Sequence, residues 1–251
     1  MTTQTENIDH LSYSTCKKIY RKGIDYALGT KLGLIDETYG QAADIGNIIH
    51  NLVLGGTFQW TVSPYKDFKS NEAKEWKANQ VGAIIKESEL EGIKKVAVAI
   101  GGHPLAKELI ELCDLEQKLE GNIGSVKFVG CADGISKDRK TIFDLKTTAQ
   151  FDQFKWQAFK NDYDLQASVY SLFGDNCEYF FVVAETVAPF RVQVFGTAQE
   201  FIEGGDRKLQ KTIDAFDRFR LRPGANDLER ISFNVGETQN LNQVEQLGDF
   251  S

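Results

Sequence analysis

Cysteine is scarce, four residues at 16, 113, 131 and 177 in a chain of 251, and none forms the close pairs that zinc or iron–sulfur sites use. Their scatter predicts reduced thiols, no disulfides and a cytoplasmic protein. A long apolar run is also missing. No stretch reaches the length of a membrane span, and the polar opening MTTQTENIDH lacks the charged start and apolar middle of a signal peptide. The expectation is a soluble, intracellular chain with no membrane partner. Positive charge is in deficit: 29 Lys and Arg stand against 36 Asp and Glu, a formal net charge of −7. This argues against a generic nucleic-acid coat, although carboxylates gathered around a metal ion are neutralised by it, so the formal figure exaggerates the repulsion a polyanion would meet. No internal repeat or low-complexity tract is present.

The length suffices to bury a full core without staples, and the pattern divides into a loose polar start over 1–10, one domain over 11–221 and a polar tail over 222–251. The tail has too few clustered apolar residues to build a core. From Leu11 the run LSYSTCKKIYRKGIDYAL has a serine start signal and helical spacing, and it crowds Lys17, Lys18, Arg21 and Lys22 together. That cluster is either a solvated face or a grip on phosphates. GQAADIGNIIHNLVLGG reads as an apolar helix with Gly46, His50 and Leu54 on one face, the glycine permitting close approach. Residues 63–80 read as a loop leading into an exposed helix, and helical pattern continues through VGAIIKESELEGI. The run KKVAVAIGGHPLAKELIELC then gives a short apolar stretch, a Gly-Gly break and a helix with Pro104 in its first turn. His103, at that break, reads as incidental.

Three strand-like runs follow, LEQKLEG, SVKFVGCADGI and KTIFDLKTT, joined by GNIG and SKDRK as a meander. Period-2 alternation puts Asp144 and Lys146 on one face of the third run, with Phe143 and Leu145 on the other. Antiparallel pairing of the second and third runs brings Asp133 close to Asp144. Two carboxylates that close repel unless a cation lies between them, and hard, oxygen-preferring Mg²⁺ or Mn²⁺ is the natural choice. Glu116 and Glu120 share one parity in the first run, so either could join this end, and register alone does not choose between them. FDQFKWQAFKN is aromatic-rich and helical, and DYDLQASVYSLFG is a helix from near Asp162 to Gly174 with Gln166 and Tyr170 one turn apart. EYFFVVAET and FRVQVFG are two further strands. The last helix opens with a capping-box pattern, Thr197-x-x-Glu200, and Gly204 and Gly205 weaken it near its start.

Singly, D-x-K is a weak signal. In order, however, stand Gly-x-x-x-His on a helix, an acidic strand, Asp-Gly ending a second strand, D-x-K on a third and Gln-x-x-x-Tyr on the next helix. This succession resembles the PD-(D/E)XK nuclease superfamily, specifically the branch of RecE-type, exonuclease VIII-like phage exonucleases, related to RecB-like nuclease modules and lambda exonuclease. The likeness runs from about Leu11 to Phe219. It implies an α/β (α+β) restriction-endonuclease-like core, a central mixed sheet flanked by helices. Carried over by position, it implies His50, Glu116, Asp133 and Asp144 as metal-site residues, with the Leu145 carbonyl as a further ligand. Lys146 and Gln166 with Tyr170 complete the catalytic set, and Lys17, Lys18, Arg21 and Lys22 are candidate DNA contacts.

Ala132 replaces the proline of the family's name, and the scattered cysteines match no iron–sulfur cluster. The implied function is a double-strand DNA exonuclease using one or two Mg²⁺ or Mn²⁺ ions, encoded by a phage or prophage. It would resect duplex ends for recombination by single-strand annealing, as a ring-shaped homo-oligomer (trimer or tetramer) beside an annealing protein. The competing expectations are a catalytically reduced scaffold protein of a recombination complex and an endonuclease of the same fold.

Overall fold

The computed structural model describes residues 10–37, 40–174 and 177–221; residues 1–9 and the polar tail from 222 lie outside the described residues. Strand β1 (His10–Leu11) leads into helices α1 (Tyr13–Lys22), α2 (Ile24–Lys31) and α3 (Gln41–Leu54). Next come β2 (Trp60–Ser63), α4 (Asn71–Ala78), β3 (Ala83–Lys86), α5 (Glu87–Gly102) and α6 (Pro104–Leu112). The second half holds β4 (Cys113–Ile123), β5 (Val126–Ser136), β6 (Thr141–Thr148), a 3-10 turn at Phe151–Gln153, α7 (Phe154–Lys160), α8 (Tyr163–Ser171), β7 (Glu178–Glu185), β8 (Val192–Gly196) and α9 (Gln199–Arg220).

Strands β4, β5 and β6 form the expected antiparallel meander, and three more complete a six-stranded mixed sheet. Strand β4 lines β5 along nearly its whole length. The other edge of β5 is shared: β1 runs parallel at Lys127 and Phe128, and β6 antiparallel at Gly134 and Ile135. Beyond β6 lie β7, parallel to it, and β8, antiparallel to β7. Alternation along β6 explains the two layers of helices. Ile142 points into a core with Phe128, Phe181, Ile19, Leu165, Val169, Leu209 and Phe216, which packs α1, α8 and α9 on that face. Phe143 and Leu145 point the other way, among Ile48, Ile93, Val96, Ile100 and Leu109 of α3, α5 and α6.

The region 81–102 departs from the expected pattern. AIIK is a strand rather than helix, pairing parallel with β2 in a separate two-stranded sheet. Gly82 is the local signal: at φ +84, a Cβ on it would lie 2.1 Å from the Gln59 carbonyl oxygen, so only glycine lets the strand start there. KKVAVAIGG, expected as an apolar stretch with a break, belongs to α5, because Leu90, Ile93, Val96 and Ile100 bury one face at helical spacing. The break falls at His103, whose Nδ1 accepts from the Ala106 N–H at 3.3 Å and so caps α6. The expected Thr197 capping box does not form. Ala198 is the N-cap of α9, and the Thr197 hydroxyl donates instead to the Tyr179 carbonyl at 3.1 Å.

Gly204 and Gly205 serve packing rather than weakening α9. A Cβ on Gly205 would sit 2.0 Å from the Asp164 carbonyl oxygen, so α9 can lie this close to α8 only with glycine at that position. Beside this contact Asp162 is fully buried and left-handed at φ +58. It accepts from Arg21 Nε at 2.5 Å and Lys208 Nζ at 2.8 Å, and Lys208 also reaches Asp164 at 2.7 Å. One carboxylate thereby ties α1, α8 and α9 together.

Burial alone would raise the Asp162 pKa, but the hydrogen bonds from Arg21 and Lys208 outweigh it and hold it below 3.8. The unfolded chain takes up this proton first as pH falls. The stabilisation is therefore complete above the unfolded value and disappears as pH drops through the depressed folded value. Asp162→Asn keeps a residue that tolerates the left-handed backbone but removes the charge. It should cost roughly 3 kcal/mol at neutral pH, with the gap from wild type closing in strong acid; a gap in thermal unfolding that is the same at both pH values would show that the charge is not what holds the three helices.

Candidate active site

The ladder between β5 and β6 ends at Gly134 and Phe143, so the next pair in register, Asp133 and Asp144, stands at the mouth of a fork. There the two backbone groups of Leu145 on the β5 side are taken by side chains. Its N–H donates to Asp133 Oδ2 at 2.6 Å, and its carbonyl accepts from His50 Nε2 at 2.6 Å. His50 reaches this point because Gly46, one turn earlier, lets α3 lie against β6: a Cβ there would already be 3.0 Å from the Thr147 hydroxyl. A carbonyl can only accept, so the imidazole carries its proton on Nε2. Its Nδ1 lone pair then faces Asp133 Oδ2 at 3.4 Å.

Two acceptors thus face each other across the spacing of neighbouring ligands on one cation. Electrostatics agree with that reading. Burial holds the His50 pKa below 6.5, keeping the ring neutral as a ligand must be. Burial, and after it the Asp144 carboxylate, pushes Asp133 well above the ordinary carboxylate value. Either a proton or a cation relieves this pair.

Glu116 arrives from β4. The flanking pairs Leu115 with Gly134 and Gln117 with Ala132 put it opposite Asp133, and its backbone is left-handed at φ +51, an uncommon state for glutamate. Donor atoms of His50, Glu116 and Asp133 all lie within 4.8 Å of one another. Glu120, the competing residue, sits four positions further along the strand and pairs with Lys127 at 2.8 Å. The three donors border a cleft of about 610 Å³ walled by α3, the loop at Gly55 to Gln59, and Gly82.

Asp144 lies beside this group rather than within it. Its Oδ1 accepts from Gln166 Nε2 on α8. Lys146 Nζ is 2.5 Å from Oδ2, so that oxygen is held in an ion pair. Burial works against the Lys146 ammonium, but Asp144, Tyr163 and Asp133 outweigh it and raise its pKa, so it stays charged. The ammonium also stands 4.8 Å over the Tyr163 ring. Among the described residues three buried side-chain oxygens lack a hydrogen bond, and two are Asp144 Oδ2 and Gln166 Oε1. Hard oxygen and imidazole donors, with Gln166 Oε1 left without a hydrogen bond nearby, fit a divalent cation.

Other expected residues take different places. The Leu145 carbonyl, expected as a ligand, is bonded to His50. The Tyr170 hydroxyl donates to the Cys131 carbonyl at 2.9 Å, where β5 has no partner strand on that edge, so it anchors α8 to the sheet. Lys17, Lys18, Arg21 and Lys22 share α1, and most of them have partners of their own. Arg21 is held by Asp162, Lys18 pairs with Glu37 at 2.6 Å, Lys22 donates to the Tyr26 hydroxyl at 2.9 Å, and Lys17 is half-buried. Conversely, sequence reading missed Cys131, whose thiol points at Glu116 Oε2 across 3.8 Å. Its parity with Asp133 on β5 was the available signal. Tyr163 was missed as well, since no sequence spacing announces a ring under Lys146.

With this geometry in hand, residues 12–221 match the model of a family described as a PDDEXK-like domain of unknown function (DUF3799). Among solved structures, the Eubacterium rectale protein named "Putative exonuclease" shares 14% identity over 86% of this chain and 83% of its own, with a TM-score of 0.65, which shows a common fold. A phage related exonuclease from Haemophilus somnus 129PT shares 16% identity over 83% of this chain and 94% of its own, at a TM-score of 0.35 too low to argue from. No curated protein matches significantly. Among the described residues no helix is long and apolar enough to cross a membrane.

Mn²⁺ at about a hundredfold excess over its Kd should stabilise the fold by roughly 2.7 kcal/mol in thermal unfolding. Asp133→Asn should remove most of that shift and Glu120→Gln none of it. A shift that survives Asp133→Asn would place the ion elsewhere.

Proposed function

Because the chain belongs to the family of PDDEXK-like domains, we propose that it is a Mg²⁺- or Mn²⁺-dependent deoxyribonuclease, and more narrowly a double-strand exonuclease. In this reading it resects duplex ends for single-strand annealing, acting as a ring-shaped homo-oligomer that passes the exposed strand to an annealing protein. One observation carries the reading: His50, Glu116 and Asp133 converge within 4.8 Å beside an Asp144–Lys146 pair in contact at 2.5 Å. The activity named for the Eubacterium rectale protein agrees with it.

A phosphodiester is anionic, and water attacks it slowly unless positive charge screens the phosphate and acidifies the water. A divalent ion supplies both effects when bound. His50, Glu116 and Asp133 would hold it, with Asp144 alongside. Lys146 remains charged, and the Asp144 and Tyr163 contacts restrict its ammonium; it positions the attacking water or meets the negative charge that develops on the phosphorus oxygens. Gln166 keeps the Asp144 carboxylate oriented for both tasks. Tyr170 maintains the α8–β5 distance on which Gln166 depends. Asp133 and the D-x-K pair Asp144 and Lys146 are all intact, which favours an enzyme over a scaffold.

Linear duplex should be degraded in the presence of Mg²⁺ while covalently closed circles survive. Lys146→Ala should lower the rate by a factor of about 10² or more and leave duplex affinity close to wild type. Nicking of circles would replace the exonuclease reading with an endonuclease one, and no metal-dependent cleavage of either substrate would leave a binding protein.

A further inference from the structure

Helix α7 carries an unusual surface. Among the described residues, its Trp156 and Phe159, 61% and 55% exposed, are the aromatic side chains among the exposed large hydrophobics; the others are Leu or Val. Lys155 and Lys160 are exposed on the same helix. Lys155 stands one turn before Phe159 and Trp156 one turn before Lys160, so the outward face alternates cations with rings. The Lys160 ammonium lies 4.9 Å over the Trp156 ring. Sequence FKWQAFK folds this way because Phe154 and Ala158 fill the inward positions, both buried in the core.

The platform is coupled to the candidate active site. Gln157 links α7 to the end of β6 through Thr148 Oγ1 at 3.2 Å and to Gln150 at 2.7 Å, so the helix hangs from the strand that carries Asp144 and Lys146. Phe154 packs 6.0 Å from Tyr163, the ring beneath Lys146. The inward side of α7 is thus tied to the elements that carry Asp144 and Lys146. Leaving two large rings in water loses the free energy their burial would provide, which points to a partner that covers them. Two lysines interleaved with the rings suit a partner that presents flat apolar groups and anionic groups in alternation.

We propose that the outward face of α7 is a binding platform for single-stranded DNA, a reading that rests on the deoxyribonuclease function above for the identity of its ligand. Bases stack on Trp156 and Phe159, and Lys155 and Lys160 meet the intervening phosphates. Single strands fit where duplex does not, because paired bases hide their faces within the stack. The apolar recess of about 350 Å³ beside the helix, lined by Phe154, Lys155, Phe159, Phe181, Phe195 and Phe201, adjoins the platform through Lys155 and Phe159, and a protein partner seated there is the competing outcome of the test.

The test is tryptophan fluorescence of the full chain titrated with a short oligothymidylate in chelator, where nothing is cut. Binding should quench the emission. Trp156→Leu should remove most of the quench and weaken binding about tenfold. The double charge reversal Lys155→Glu with Lys160→Glu should weaken binding and flatten the slope of log affinity against log salt by about 1.4. Wild-type affinity in both variants overturns the proposal. So does a Trp156→Leu chain that sediments as a smaller species yet binds oligothymidylate normally, since the face would then belong to a second copy. Cleavage assays separate the two readings: quenching through Trp156 in a chain that cuts no DNA upholds the platform and sinks the nuclease, and cleavage with no quenching does the reverse.

Discussion

Strand β5 cannot pair with β6 beyond Gly134 and still leave room for a site, and the parting of the two strands is the constraint on which the rest of the structure depends. A fork in a sheet exposes backbone N–H and C=O groups that must find partners. Here those of Leu145 are satisfied by Asp133 and His50. The same two bonds that repair the sheet hold a carboxylate and an imidazole in place. Two of the metal-site candidates, His50 and Asp133, are thus fixed by backbone satisfaction, and they sit on rigid elements at little entropic cost.

Around that fork each layer of helices has one task. Helix α3 delivers His50, with Gly46 permitting the approach. Helix α8 delivers Gln166 to Asp144 and Tyr170 to Cys131. The buried Asp162, gripped by Arg21 and Lys208, ties α8 to α1 and α9. Electrostatic cost accumulates where these parts meet: Asp133 is pushed up by burial and by Asp144, and two site oxygens have no hydrogen bond. An arrangement of this kind is poorly compensated on its own and becomes well compensated around a cation.

Much of this was legible in the sequence, for identifiable reasons. Alternation in TIFDLKT gave the Asp144–Lys146 face, the polar turn SKDRK gave the hairpin, and helical spacing placed His50 beyond a glycine. What escaped detection depended on tertiary packing. AIIK could be read as helix because three apolar residues and a lysine carry no clear period, and its partner β2 lies upstream across α4. The basic run at Lys17 to Lys22 reads as one patch in sequence, which cannot show that Arg21 is held by the buried Asp162. The Glu116 and Glu120 choice needed the β4–β5 register, which puts Glu116 opposite Asp133 and leaves Glu120 with Lys127.

The central claim is that the fork binds a divalent cation through His50, Glu116 and Asp133 beside Asp144. A crystal structure of the chain soaked in Mn²⁺, with anomalous scattering used to locate the ion, addresses it directly. The account predicts one Mn²⁺ peak or more in the cleft, with His50 Nδ1 and the Asp133 and Glu116 carboxylates in its coordination shell. Full Mn²⁺ occupancy elsewhere, with His50 Nδ1 still facing Asp133 and no ion between them, would contradict it.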